Sequence, residues 1–185
     1  MQSLAVSSDG TRLAVGGHDG SVRVIALAGI TTEHAMVGDD QPVSALTFSP
    51  RGDRLLVGDQ TGRVRIVDPH DGHVVVSAQA HDRYVNGVVW SADGRSIVSV
   101  ADDPSVQILS PTDLTPLRIV RTASAPLSAM LASDGSHLLY HDGRSVLQLD
   151  LRLAMTDVEP ATLLAQAEAR GGVRLEGLVL GRRAP

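Results

Sequence analysis

The sequence lacks cysteine altogether and is poor in aromatic residues, with one Trp, two Tyr and one Phe among 185 residues. The absence of cysteine excludes disulfides, thiolate metal sites and cysteine nucleophiles. Aromatic rings bury the most surface per side chain, so a core with so few of them has to be built from Val, Leu, Ile and Ala.

Strong positive charge and long apolar runs are also missing. The formal net charge is −5, whereas a protein that binds nucleic acid or anionic membranes normally carries a basic face. No apolar run reaches the length of a membrane span. The opening residues show no basic-then-apolar leader and so do not resemble a signal peptide. We therefore expect a soluble cytoplasmic protein with no nucleic-acid partner and no membrane insertion.

Two kinds of turn recur along the chain at a nearly constant interval. The first is centred on a glycine that returns every 41 or 42 residues, at Gly10, Gly52, Gly94 and Gly135. The second returns in step with the first, at Asp19-Gly20, Thr61-Gly62, Asp103-Pro104 and Asp142-Gly143. Four units at one period indicate a repeat architecture.

Each unit predicts a small β-sheet. Short β-branched runs bounded by Gly, Asp and Pro are typical of strands, and Asp-Gly joins favour tight hairpins because glycine tolerates positive φ. Three runs flank the two turns of each unit, and a fourth strand is predicted at 32–37, 73–79 and 115–120. A four-stranded antiparallel sheet that is apolar on both faces has to stack on its neighbours, and stacking around an axis gives a β-propeller.

The second and third units resemble the repeats of the WD40 family. The matching segments are VSALTFSPRGDRLLVGDQTGRVRIV and VNGVVWSADGRSIVSVADDPSVQIL, and the likeness extends over residues 3–151. The resemblance implies an all-β fold, a β-propeller of four-stranded antiparallel blades. With about four such blades, the chain would form a partial ring.

The units depart from the family pattern in several positions. The third-strand position that often holds Trp in the family is occupied by Ile25, Val67, Leu109 and Leu149. The family's hydrogen-bonded network of Trp, Ser/Thr, His and Asp is therefore expected not to be intact. His81 stands where the family has its Gly-His histidine, and Thr61 replaces the structural Asp in unit two. Gln148 replaces an apolar residue in unit four, which fits a partly uncovered last blade.

We expect two regions in the chain. A WD40-like region over 1–151 divides into blades over 1–42, 43–84, 85–126 and 127–151. In the tail over 152–185, Pro160 and an apolar stripe predict a helix over 159–170, and a strand is predicted over 173–180. This tail would either add a strand to the fourth sheet or cap its open face. It resembles the ends of some bacterial signalling proteins, including membrane-linked Ser/Thr kinases.

Four blades leave the ring incomplete. Closed propellers have about four to eight blades, and two open blade faces would expose apolar patches of a kind that soluble monomers avoid. We expect a second copy, as in a homodimer, or another partner chain to complete the ring. The alternatives are a piece or shortened descendant of a longer protein, a self-closed ring of four blades, and a tail that shields one face.

The loops that follow the second strands and precede the first strands lie on one rim of a propeller, and this rim is the candidate partner-binding surface. Its residues are His18, Asp39, Asp40, His81, Arg83, Tyr84, Asp102, Asp103, Arg121 and His141. Arg83 and Tyr84 are the strongest candidates because Arg and Tyr make good interface anchors. For each residue the alternative is a solvated position selected for its turn chemistry.

No motif indicates catalysis, a cofactor or a metal. A nucleophile elbow, a phosphate-binding glycine loop and a zinc-binding helix are all missing from the sequence. His70-Asp71-Gly72-His73 lies in a turn with too few neighbouring ligands for structural zinc. We expect a non-catalytic scaffold that binds a protein or peptide, from a bacterial protein. The alternatives are a propeller enzyme or small-ligand binder with a polar central channel, and a regulatory fragment of a larger kinase-linked protein.

Overall fold

A computed structural model describes residues 3–36, 40–132 and 136–150, and every regular element within these residues is a β-strand. The fifteen strands form four sheets in which the strand order follows the chain. The predicted all-β fold is thus confirmed. The helix predicted over 159–170 and the strand predicted over 173–180 lie outside the described residues.

Sheets 1 to 3 have four strands each, and sheet 4 has three among the described residues. Sheet 1 consists of β1 (Ser3–Val6), β2 (Arg12–Gly16), β3 (Val22–Ala26) and β4 (Thr31–Met36). Sheet 2 consists of β5 (Val43–Phe48), β6 (Leu55–Asp59), β7 (Arg63–Val67) and β8 (Val74–Gln79). Sheet 3 consists of β9 (Val85–Trp90), β10 (Ile97–Ala101), β11 (Ser105–Leu109) and β12 (Pro116–Arg121). Sheet 4 consists of β13 (Ser128–Leu131), β14 (His137–His141) and β15 (Val146–Asp150).

The turns between first and second strands repeat one local structure. The φ angles are 70°, 71° and 70° at Gly10, Gly52 and Gly94. This left-handed region is readily accessible only to glycine. In the first turn, Asp9 accepts hydrogen bonds from Ser7 Oγ (2.6 Å) and Thr11 N (3.0 Å). These bonds lower the pKa of Asp9 to about 2. The fourth glycine of the series, Gly135, lies outside the described residues.

The side chains of the central strands alternate between two neighbouring sheets. In β6, Leu55 and Val57 pack in the cluster shared with sheet 1, and Leu56 packs in the cluster shared with sheet 3. This is the period of two that a strand imposes. The same alternation in β10 places Ile97 against sheet 2 and Val98 against sheet 4. Each junction between successive sheets therefore has its own apolar core.

The first strands of successive sheets lie next to each other. β1 contacts β5, β5 contacts β9, and β9 contacts β13. Among the described residues, no comparable packing of β13 on β1 closes this series. The four sheets therefore form an open partial propeller, as predicted.

Both end faces of the partial propeller expose apolar side chains. On sheet 1, Leu4 is 51% exposed and Val6 is 57% exposed. On sheet 4, Met130 is 69% exposed and Val146 is 75% exposed. Gln148 is also exposed on this outer face of sheet 4, which accounts for a polar residue at its repeat position.

Candidate partner-binding rim

Two sets of loops meet at one end of the sheets. One set joins the second and third strands of each sheet, and the other set joins one sheet to the next. Backbone hydrogen bonds tie the two sets together, for example from His81 N to Gly62 O (3.0 Å), and from Leu127 N to His141 O (2.8 Å). We call this end of the molecule, formed by residues 17–21, 40–42, 60–62, 80–84, 102–104, 122–127 and 142–145, the rim.

The loop of residues 80–84 is anchored to sheet 3 by a buried polar network. His81 is only 2% exposed, and its Nδ1 lies 3.0 Å from Asp103 Oδ2 while its Nε2 lies 2.8 Å from Ser99 Oγ. Ser105 Oγ donates to Asp103 Oδ1, and Asp82 N donates to Asp103 Oδ2 at 3.2 Å. Three members of the family's network are thus present in this unit although its Trp is missing. His81 and Asp103 hold the loop in place, and His81 offers little surface to a partner.

The hydrogen bonds of His81 resemble those of a catalytic triad, in which an imidazole lies between a carboxylate and a serine hydroxyl. Ser99, however, is fully buried in the middle of β10. A reacting carbonyl would have to reach its Oγ through the junction of sheets 2 and 3. The geometry therefore serves packing, because a buried polar group has to be hydrogen-bonded.

A related anchor fixes the next loop to sheet 4. Ser124 Oγ donates to Asp142 Oδ2 at 2.6 Å, and Asp142 Oδ1 accepts from Arg144 N (2.9 Å) and Ser145 N (2.8 Å). The hydrogen bonds, that from Ser124 first, lower the pKa of Asp142 to about 2. A serine here does what His81 does at the preceding junction.

In unit two, the carboxylate of the rim turn comes from Asp59. Asp59 Oδ1 accepts from Thr61 N (2.9 Å) and Thr61 Oγ1 (2.6 Å), and Arg65 NH2 lies 3.4 Å from its Oδ2. Thr61 stands where the other units have the structural Asp. In unit two, Asp59, two residues earlier in the chain, supplies that carboxylate instead. Sequence comparison of the units missed Asp59, since it aligns with Gly17 in unit one. One feature of the sequence could have indicated Asp59: the turn Asp59-Gln60-Thr61-Gly62 begins with a carboxylate although its third position has none.

Acidification is expected to destabilise the protein through His81. Burial holds the pKa of His81 below its usual value, although the nearby Asp103 and Asp82 carboxylates act in the opposite direction. The unfolded chain therefore binds this proton more readily, so stability falls as the pH drops below about 6.5. We expect denaturant unfolding at pH 7.5 and pH 5 to show this loss, and the loss to shrink in His81→Gln. An unchanged pH dependence in His81→Gln would contradict the assignment.

Asp103 contributes in a separate pH range. Burial alone would raise the pKa of Asp103, but hydrogen bonds from Ser105 and His81 and the charge of His81 lower it overall. A carboxylate with a lowered pKa stabilises the fold above about pH 3.9 and loses that contribution only in stronger acid. The His81 effect between pH 7.5 and pH 5 is thus distinguishable from that of Asp103.

Arg83 and Tyr84 project from the anchored loop at the junction of sheets 2 and 3. Arg83 is exposed and Tyr84 is half-buried. Gln60 Nε2 donates to the Tyr84 hydroxyl at 3.4 Å, and Tyr84 O accepts from Asp102 N at 2.9 Å. Asp102 in turn accepts from Asn86 Nδ2 at 2.8 Å. Of the predicted rim residues, the structure brings together His81, Arg83, Tyr84, Asp102 and Asp103.

Of the other predicted rim residues, Arg121 pairs across the sheet with Ser105, next to this group. His18 is exposed beside sheet 1, where it helps to line a shallow hollow of about 390 Å³. Asp40 is exposed with a positive φ of 60°. Arg121 and His141 are exposed at the ends of β12 and β14. Asp39 lies outside the described residues.

The opposite end of sheet 2 carries a small polar cluster. The candidate ligand atoms of Asp68, Asp71 and His73 lie within 4.8 Å of one another. Asp68 already pairs with Arg54 at 3.2 Å, and Asp71 Oδ1 lies 2.7 Å from His73 Nδ1. These contacts account for the cluster as turn structure, and we assign no metal to it.

The described residues contain no helix with the length and apolarity needed to cross a membrane.

Family models match most of the part of the chain that forms the sheets. The model for the WD domain, G-beta repeat, matches residues 2–25 and 70–109. The model for the anaphase-promoting complex subunit 4 WD40 domain matches residues 29–86. Three of the four sheets are therefore covered in whole or in part by WD40 models.

Curated relatives carry the same kind of repeat. Eukaryotic translation initiation factor 3 subunit I of Rattus norvegicus is 22% identical over 60% of this chain and 34% of its own length. Coronin-7 of Mus musculus is 28% identical over 90% of this chain and 21% of its own length. WD repeat-containing protein SL1-17 of Schistosoma mansoni is 32% identical over 60% of this chain and 36% of its own length.

The chain thus spans between about a fifth and about a third of the length of these relatives. All three come from eukaryotes, so they give no support to the prediction of a bacterial source. Repeat period, sheet topology, the His81 network and the matches agree on one family. The chain belongs to the WD40-repeat family.

Proposed function

We propose that the chain is a non-catalytic scaffold whose rim binds a protein or peptide partner. The observation that carries the proposal is that one residue of the loop of residues 80–84 anchors the loop while another is exposed to a partner. His81 is buried and fixes the loop, whereas Arg83 is exposed on the same loop. A loop held in place pays less entropy when it binds, and Arg and Tyr are enriched among the residues that dominate interface energies.

WD40 membership supports the general form of this proposal. One relative is named as a subunit of an initiation factor, which is an assembly of proteins. The proposal includes no catalytic step and no cofactor, and on the sequence alone it places the scaffold in the cytoplasm. Attachment to a signalling kinase remains a prediction from the C-terminal residues.

The test is peptide selection on the immobilised protein, followed by affinity measurement with the variants Arg83→Ala and Tyr84→Ala. We expect each variant to weaken selected peptides by about tenfold or more, because each removes a candidate anchor. Thermal unfolding should change little for Arg83→Ala, since this side chain is exposed.

The matched control is Arg95→Ala. Arg95 is an exposed arginine on the same sheet, but it lies in the turn between β9 and β10 at the opposite end. This variant should bind every selected peptide as the unchanged protein does. The assignment of the rim would be contradicted if the selected peptides bound Arg83→Ala and Tyr84→Ala with unchanged affinity, or lost as much affinity for Arg95→Ala.

A further inference from the structure

The two end faces of the partial propeller carry the same repeat positions that pack against each other at the inner junctions between sheets. Leu4, Val6 and Leu13 on sheet 1 stand one repeat period, 42 residues, before Leu46, Phe48 and Leu55 on sheet 2. The three residues of sheet 2 are buried against sheet 1. Their counterparts on sheet 1 face outward, so this leading face is built for the same kind of contact.

The residues that cover such a leading face are also known from the inner junctions. Sheet 1 covers sheet 2 with Ala14, Val22 and Val24. Sheet 2 covers sheet 3 with the corresponding residues, Leu56, Val64 and Ile66. We call this the trailing face of a sheet.

One trailing face is free among the described residues, and it belongs to sheet 4. The strand register places Leu139, Val146 and Gln148 at the positions of Leu56, Val64 and Ile66 in sheet 2. Leu139 and Val146 are exposed, and Met130 lies beside them as the partner of Leu139 across β13 and β14. Among the described residues there is thus one uncovered leading face and one uncovered trailing face, and the named side chains on both are apolar except Gln148.

We propose that the trailing face of sheet 4 in one copy packs on the leading face of sheet 1 in a second copy. Two such junctions, related by a two-fold axis, close a ring of eight sheets from two chains. Eight is within the range of about four to eight blades over which propellers close. A head-to-tail contact either closes in this way or propagates into a filament, and the solution mass distinguishes the two.

The test is the solution mass of the full chain by light scattering, with Val6→Asp on the leading face and Val146→Asp on the trailing face. We expect the unchanged chain to be a dimer. Each variant should raise the dimer dissociation constant by a factor of about a hundred or more, because each places an unpaired charge at both junctions. Circular dichroism should show intact sheets in both, since both side chains are exposed in one copy.

Val74→Asp is the matched control. Val74 is a valine exposed to a similar extent, but it lies on the outer strand β8 and away from both end faces. This variant should remain dimeric.

A mixture of the two interface variants separates a head-to-tail contact from a face-to-face one. The Val6→Asp chain keeps an unaltered trailing face, and the Val146→Asp chain keeps an unaltered leading face. Mixing them creates one unaltered junction, so association should partly return. A contact between two leading faces would instead respond to Val6→Asp alone and show no recovery.

The inference does not depend on the rim, because none of the substituted residues lies there, and failure of one proposal leaves the other standing. A monomeric unchanged chain would overturn it and assign the end faces to the C-terminal residues or to a different chain. Long oligomers, or a dimer indifferent to either substitution, would overturn it as well.

Discussion

Replacing Ile66 by Asp is expected to reduce the free energy of unfolding by about 4 kcal/mol or more. Ile66 lies in the apolar junction between sheets 2 and 3, packed in the same cluster as Leu56, Val85 and Leu109. A carboxylate there would have no cation opposite it, and an unpaired buried charge costs several kcal/mol. Because whole domains are stable by about 5–15 kcal/mol, the variant should be close to unfolding, which denaturant titration followed by circular dichroism would measure.

The repeat supplies the control for this experiment. Gln148 stands at the position of Ile66 in sheet 4, paired across the sheet with Leu139 as Ile66 is with Leu56. Gln148 is exposed, so Gln148→Asp should change stability by no more than about 0.5 kcal/mol in the dissociated chain. Equal losses in the two variants would show that Ile66 does not lie at a covered junction.

Replacing Gly62 by Ala is expected to cost about 3 kcal/mol or more. Gly62 has a φ of 91°, a backbone conformation that residues other than glycine rarely adopt. A methyl group at this position would also lie 2.1 Å from the carbonyl oxygen of His81. That oxygen belongs to the backbone, so the loop of residues 80–84 has to move. The movement should weaken the hydrogen bonds of His81 and displace Arg83. We therefore expect a lower free energy of unfolding and weaker peptide binding in the same variant.

Gly94→Ala separates backbone strain from this collision. Gly94 also has a positive φ, at 70°, but an added methyl group would meet no atom within 4 Å. The expected loss is therefore only the conformational part, about 1–2 kcal/mol. If Gly62→Ala cost no more than Gly94→Ala, the close approach of the two rim loops would be refuted.

The repeat made most of the fold predictable. Glycine turns at a constant period gave the number of sheets, and the fourth strands predicted at 32–37, 73–79 and 115–120 each lie within one residue of the observed bounds. Gln148 is exposed, as predicted, because a polar residue at an otherwise apolar repeat position indicates a face that none of the described sheets covers. These features depend on local turn chemistry and on the period of two, which the sequence displays directly.

The rim was predictable in its location but not in the roles of its residues. His81 and Asp103 were predicted alongside Arg83 as surface candidates, whereas the structure buries His81 in a network with Ser99. Nothing local distinguishes these roles, because Ser99 is remote in sequence and meets the imidazole only when two sheets stack. Asp59 was missed for a related reason, since its carboxylate fills a role that other units assign to a different position.

The stacking of sheets around a common centre is tested most directly by an engineered disulfide between first strands. A Cβ added at Gly87 in β9 would lie 4.0 Å from the Cβ of Ala129 in β13, within the range of about 3.5–4.5 Å that a disulfide requires. Since the chain contains no other cysteine, Gly87→Cys with Ala129→Cys gives an unambiguous readout. We expect the double variant to form an intramolecular disulfide under mild oxidation, seen by mass spectrometry and by faster migration on a non-reducing gel. Two free thiols in a folded chain would mean that sheets 3 and 4 are not neighbours around one centre.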